Sequence, residues 1–381
     1  MNSESTNIHK RRTARILTVV CGLLFSAFSF VYLAFFQKEV LEALHYSLAQ
    51  GKTVYAPWIS AILITVILLI VRWGINKIIG LNGLIMALSY FPSCLLLGVL
   101  TDVNHGVYHG EGISSEWSWL FPLLLVGYVI IGRLMSRMYD EIEKESGITV
   151  NSNLLILLLL CLMTACIGNS NVHFHHELQI EEALRKQDYE EARKVGEKSL
   201  SPSRNLTALR AYALSREGTM GEYLFHYPQL YGAAGLLMGT SNDKALRLNA
   251  DSLYVYLGAK PNLGEPTMNF FERICKEESG NYTTMDYYLS ALLLERNLEQ
   301  FVRAFEELYI VKDSIPLYYK QALFLYDKMY PSNQSLVADE SMEEAWKAYE
   351  KLKTELNGSV GEANRMRRNY GNTYWWYYQY R

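Results

Sequence analysis

The sequence has 381 residues, a formal net charge of −3 and 50% hydrophobic residues. Its mild acidity excludes the basic footprint of a nucleic-acid-binding protein, and its length leaves room for more than one domain. The five cysteines exclude a disulfide framework and a Cys-based zinc site, because Cys21, Cys94, Cys161 and Cys166 sit in apolar runs and Cys275 is alone in the polar half.

The averages hide two unlike halves. Residues 1–168 carry 11 Lys+Arg and 10 Asp+Glu between long apolar runs, whereas residues 169–381 carry 25 and 29, spread evenly. Crossing a bilayer takes a helix of about 20 mostly apolar residues. After a basic N-terminus over 1–15, the pattern predicts spans at about 16–36, 56–75, 78–100, 117–132 and 148–167. The second needs Arg72 to snorkel to the interface. The fourth carries Trp117 and Trp119 for an interfacial belt. The fifth has an apolar core of only 154–167 and reaches full length only by running back through Asn151, Ser152 and Asn153.

Lys and Arg between the spans set the orientation. Lys10, Arg11, Arg12, Arg15, Arg72, Lys77, Arg133, Arg137 and Lys144 fall on one side, and only Lys38 and Lys52 on the other. This asymmetry predicts a cytoplasmic N-terminus and, with five spans, an exported second half over 169–368.

Beyond residue 169 the apolar residues recur at helical spacing. Helices are expected over 177–186, 189–200, 204–217, 283–295, 298–309, 317–329 and 341–356, the last with Ser341 and Glu344 as a capping box. Between Tyr227 and Glu265 the glycines Gly232, Gly235, Gly239, Gly258 and Gly264 predict short helices and loops. No segment alternates with period two, so the predicted fold class is all-α: a transmembrane bundle followed by a tetratricopeptide-like repeat domain. The 34-residue stretch from Thr283 to Pro316 matches one such period.

Three strings carry a family resemblance: SALLLERNLEQFVRAFEELY, PLYYKQALFLYDKMYP and the aromatic end NTYWWYYQYR. With the multi-span first half, they resemble a family of uncharacterised polytopic membrane proteins from Bacteroidota, a domain of unknown function with a tetratricopeptide-like C-terminal half. The resemblance implies a Gram-negative inner membrane and a periplasmic second half. It implies no activity, cofactor or catalytic residue.

Four constellations bear on chemistry. Asp102, His105, His109 and Glu111 bring imidazoles and carboxylates into the loop after the third span, where a metal or proton-transfer site would need them. Gly106, Gly110 and Gly112 favour a plain surface loop there. His173, His175 and His176 follow the fifth span. His176-Glu177 begins like a metalloprotease HExxH helix, but Ile180 stands where the second ligand must be. Cys166 ends a run that looks like a lipoprotein processing box, although a membrane-buried thiol is the simpler reading. At the C-terminus, Tyr374, Trp375, Trp376, Tyr377 and Tyr378 form a platform for a partner or, more simply, a cap over 369–381 that covers the last helices. No Walker A, GxGxxG, GxSxG or CxxC pattern is present, and no cofactor is expected. The sequence therefore favours a scaffold in the lipid bilayer that holds an envelope protein partner. The alternative is an envelope enzyme or transporter acting on a lipid or glycan through the histidine loop.

Overall fold

The computed structural model describes residues 2–139, 146–238, 246–248, 250–277, 282–309, 314–331 and 339–381, and for 2–14, 139 and 146–147 the backbone alone. Lys144 and Gly239 lie outside the described residues, as do the side chains of Lys10, Arg11 and Arg12. Among the described residues there is no strand, only one bridge between Val103 and Ile113. The chain divides into two compact units, Met1–Leu178 and Gln179–Arg381.

The first unit contains α1 (Asn2–Val31), continued by a π-helical turn at Tyr32–Phe36, then α2 (Lys38–Ala49) and α3 (Pro57–Ile79). A 3₁₀ segment at Gly83–Tyr90 leads into α4 (Phe91–Thr101), followed by α5 (Trp117–Tyr139) and α6 (Ser146–Ile167). The next helix, α7 (Val172–Arg185), begins in this unit. Five stretches are long and apolar enough to cross a membrane: Arg15–Phe36, Pro57–Ile79, Gly83–Thr101, Trp117–Met138 and Ile148–Ile167. Their shared core contains Phe25, Leu68, Met86, Cys94, Leu97 and Leu157.

The third of these stretches is broken. Its first eight residues are 3₁₀ helix, with Ile85 at φ −114° and ψ 15°. Tightened backbone of this kind leaves peptide groups without helical partners, and an apolar surrounding offers no water to replace them. The fully buried Asn153 on α6 fills the gap: its Oδ1 accepts the Ala87 N–H at 2.6 Å and its Nδ2 donates to the Gly83 carbonyl at 2.8 Å. Ser152 Oγ donates to the Leu84 carbonyl at 3.1 Å, and Thr164 Oγ1 to that of Cys94 at 3.0 Å. Ser152 and Asn153, two of the three polar residues that make the fifth stretch look short, are therefore the clasp for the third.

Arg72 departs from the snorkelling expected of it. Its Nε donates to Ser89 Oγ at 3.1 Å and its guanidinium lies 4.3 Å from the Tyr90 ring centroid. The donors find partners inside the bundle, so the side chain turns inward.

The second unit runs on through α8 (Tyr189–Lys194), α9 (Arg204–Glu217), α10 (Met220–Tyr223) and α11 (Ala250–Leu257). It is completed by α12 (Thr267–Glu277), α13 (Tyr282–Leu294), α14 (Leu298–Leu308), α15 (Leu317–Met329), α16 (Glu340–Leu356), α17 (Glu362–Tyr370) and α18 (Tyr374–Tyr380). One helix-to-helix corner recurs. At α7–α8, the Asp188 and Gln187 N–H groups donate back to Ala183 and Leu184. At α9–α10, Thr219 and Gly218 donate to Leu214 and Ser215. At α13–α14, Asn297 and Arg296 donate to Leu292 and Leu293. Each corner turns on a left-handed residue: Gln187 at φ 58°, Gly218 at φ 73° and Arg296 at φ 59°. Asp188 and Asn297 then cap the next helix by accepting the N–H of Glu191 and Gln300.

Helix ends differ from expectation in two places. The helix expected over 189–200 stops at Lys194, well before Pro202. The cap of α16 is Asp339 rather than Ser341: its Oδ1 accepts the N–H groups of Ser341 and Met342 at 3.0 and 3.3 Å. The helix begins at Glu340, so Ser341 lies inside its first turn and the Asp339 carboxylate meets the exposed N–H groups with a full charge.

Asp286 on α13 is buried, and Tyr319 on α15 donates a 3.0 Å hydrogen bond to it. Burial raises its pKa to about 6 despite that bond.

Two outcomes are expected of full-length protein in detergent. Asn153→Leu should lose about 2 kcal/mol against denaturant, because the Ala87 N–H and the Gly83 carbonyl lose their partner at once, while Asn151→Leu on the exposed face should change little. Asp286→Asn should melt above the wild type at pH 7.5, by up to about 3 kcal/mol. Ionising Asp286 costs the folded state stability as pH rises through about 6, so the gap should close near pH 4.

Candidate functional site

In the first unit a belt of polar side chains gathers where α4 ends, α2 begins and α6 passes into α7. Its hub is Asn169. The Asn169 N–H donates to the Thr101 carbonyl at 2.9 Å and its Nδ2 donates to the Val103 carbonyl. The Asn169 carbonyl accepts from Gln37 Nε2 at 2.9 Å and from His175 Nε2 at 3.2 Å. Gly168 permits this approach, since a Cβ there would strike the Tyr32 hydroxyl and lie 2.5 Å from Thr101 Oγ1.

Around the hub stand two histidine–carboxylate pairs. His175 Nδ1 lies 3.9 Å from Glu39 of α2. His105 Nε2 lies 3.7 Å from Glu177, whose carboxylate also accepts from the Tyr108 hydroxyl at 3.5 Å. The His105 ring packs on Phe174 at 4.6 Å between centroids. Asn104 caps the short 3₁₀ turn His105–His109 by accepting the Gly106 N–H at 2.7 Å. Burial pushes the His175 pKa down, but Glu39 and the Asn169 carbonyl together outweigh it and hold it above the usual value.

The belt takes one member from each predicted histidine cluster and leaves the others outside. Asp102 accepts from Trp117 Nε1 at 2.6 Å, which fixes the start of α5. His109, Glu111 and His173 are exposed, and no described group places them with His105. His176 is half-buried on α7. Among the described residues no three His, Cys, Asp or Glu side chains converge as a metal site would need. Cys166 is exposed in the last turn of α6. Glu39 was not singled out by sequence, and nothing in its surroundings there marks it.

In the second unit the C-terminal aromatics are drawn into the core. Tyr374, Trp375, Trp376 and Tyr377 are buried and Tyr378 is half-buried. Trp375 Nε1 donates to the Gln321 carbonyl at 3.0 Å, Trp376 Nε1 to that of Ala363 at 3.2 Å and the Tyr377 hydroxyl to that of Leu294 at 2.8 Å. The polar tips of Trp375, Trp376 and Tyr377 are thus met by the chain itself, and the rings pack inward rather than stand out as an exposed platform. What lies open instead is a groove of about 410 Å³ along α12, α13 and α14. Glu272, Lys276, Tyr288, Asn297, Gln300 and Arg303 line it. Gln300 Nε2 donates to the Tyr288 hydroxyl at 3.2 Å, and the cations are tethered by Lys276–Glu272 and Arg303–Glu299 pairs one turn apart.

A family model described as a family of unknown function (DUF6057) matches residues 105–261 and 264–381. The chain belongs to that family. The DUF6057 match takes in His105, His175 and Glu177 of the belt, the groove and the aromatic end, while Glu39 and Gln37 precede it. No curated protein and no solved structure matches the chain.

The His175–Glu39 contact gives a pH test. A histidine whose folded pKa is raised contributes stability that is full below its unfolded value and is lost as pH rises through the folded one. Wild type should therefore exceed Glu39→Gln by up to about 1 kcal/mol at pH 5.5, with the difference fading by pH 8.5 in thermal melts of the solubilised protein.

Proposed function

We propose that this protein is a membrane-anchored scaffold whose helical C-terminal half binds a protein partner of the cell envelope. The observation that carries the reading is the groove along α12–α14. It presents both charge signs, a tyrosine edge and two carboxamides, Asn297 and Gln300, the groups that pair with an extended peptide backbone. The recurring corner at α7–α8, α9–α10 and α13–α14 supports a tetratricopeptide-like stack, an architecture that holds protein segments along an open face. Five apolar stretches supply the anchor. The excess of Lys and Arg on alternate sides supports a cytoplasmic N-terminus and a periplasmic second half, in the inner membrane of a Gram-negative Bacteroidota-type cell.

A second reading rests on the belt. His105 with Glu177 and His175 with Glu39 place proton-carrying groups beside the ends of the spans, as an envelope enzyme or transporter acting on a lipid or glycan would require.

Site-specific photocrosslinking in intact cells distinguishes them. A crosslinker at Gln300 or Arg303 should capture one discrete protein, and Glu272→Lys with Glu307→Lys should abolish the band. No adduct at either position would remove the scaffold reading. Loss of the cellular phenotype in His105→Ala with His175→Ala, crosslinking being unchanged, would favour the second.

A further inference from the structure

Away from the groove, the second unit has a compact cleft between the turn after α8, the turn after α10 and the α17–α18 corner. Its volume is about 180 Å³. A cavity of roughly 150 Å³ takes a benzene-sized ring, so the cleft suits a small molecule rather than a chain. Phe225, Tyr227, Pro228 and Leu200 form its apolar wall.

The charges are one-sided. Lys198, Arg367 and Arg381 line the cleft with one side-chain carboxylate, Glu197, which lies 3.7 Å from His226 Nε2. Among the described residues no carboxylate pairs with Lys198, Arg367 or Arg381. Two arginines of this unit, by contrast, are tied to acids, Arg193 to Glu217 and Arg273 to Glu265. Arg367 and Arg381 are instead held by Trp376, with their guanidinium carbons 5.6 and 6.0 Å from its ring. Stacking orients a guanidinium and leaves its in-plane N–H groups available to an anion.

The walls are fixed. Arg210 is buried beneath the cleft, 4.2 Å from the Tyr227 ring, and donates to the carbonyls of Arg193 and Val195. It thereby ties the turn carrying Tyr227 to the turn after α8. Gly371 has an ordinary helical φ of −63°, so its backbone does not demand glycine. A Cβ there would strike the Arg367 carbonyl and come 2.7 Å from Arg367 Cγ. The missing side chain leaves Arg367 its place at the cleft.

We propose that this cleft binds a phosphate monoester carried on a small body. Three side-chain cations against one side-chain carboxylate make the lining predominantly positive, and a phosphate monoester near neutral pH carries about −1.5 to −2. Arginine forks match its oxygens in pairs, and the apolar wall accommodates a ring-sized remainder. The same chemistry is offered by a sugar phosphate, by inorganic phosphate and by the headgroup of a lipid monoester.

The test is thermal melting of the full-length protein in detergent, titrated with glucose 6-phosphate, inorganic phosphate, dihexanoyl phosphatidic acid and, as controls, glucose and sulfate. A saturable rise with at least one of the three phosphates, exceeding that with sulfate, is expected. The probe that saturates at lowest concentration names the source. Arg381→Gln and Lys198→Gln alter exposed side chains and should leave the unliganded melting point alone while weakening apparent affinity about tenfold each. Gly371→Ala should weaken it by displacing Arg367. A flat titration with all three phosphates, or a response that both exposed-residue variants leave unchanged, would overturn the proposal.

Discussion

A peptide group that leaves regular helix inside an apolar slab has no water to turn to, and the first unit is organised around that constraint. The third apolar stretch breaks into 3₁₀ helix at Gly83–Tyr90, so its backbone has to be satisfied by neighbours. Asn153, Ser152 and Thr164 of α6 do this directly, and Ser93 Oγ returns the favour to α3 by donating to the Leu68 carbonyl at 2.6 Å. The apolar contacts among α1, α3, α4 and α6 then close over a frame these hydrogen bonds have set. The same logic brings Arg72 inward, since Ser89 and Tyr90 on the broken segment give its guanidinium an alternative to the interface.

Helical periodicity made much of the architecture legible. Arg204–Glu217 and Leu317–Met329 stand where the apolar spacing places them, and the five apolar stretches follow from length alone. The reading weakened wherever one residue type serves two ends. Asn151-Ser152-Asn153 read as a dilution of a span, because composition cannot show that Asn153 faces a neighbouring backbone. At α16, Ser341 and Asp339 are both good caps in isolation, and the choice depends on where the chain enters the helix.

The candidate sites were less legible, for a related reason. Clustering along the chain suggested two histidine sites, but a short 3₁₀ turn and the α7 helix point neighbouring side chains different ways. His105 and His175 are taken into the belt while His109 and His173 face outward. Their partners, Glu177 and Glu39, lie on other elements, and Glu39 is far from His175 in sequence. The aromatic end shows the converse. Seven aromatic residues in eleven positions suggest an adhesive surface, yet their N–H and O–H groups meet carbonyls of α13, α15 and α17, which is how large amphipathic rings become interior ones. The groove along α12–α14 lies instead where composition is unremarkable.

The ties along α6 also decide what that helix can do mechanically. Asn153 and Thr164 grip the third stretch about 16 Å apart along the axis, and Asn169 locks the exit of the same chain segment to α2 and to the end of α4. A slide of one turn, about 5.4 Å, would bring Thr149 or Leu157 to the place of Asn153 and strand the Ala87 N–H and Gly83 carbonyl together. Piston motion is therefore closed to α6. It acts as a strut, pinned at three levels to the segments around it.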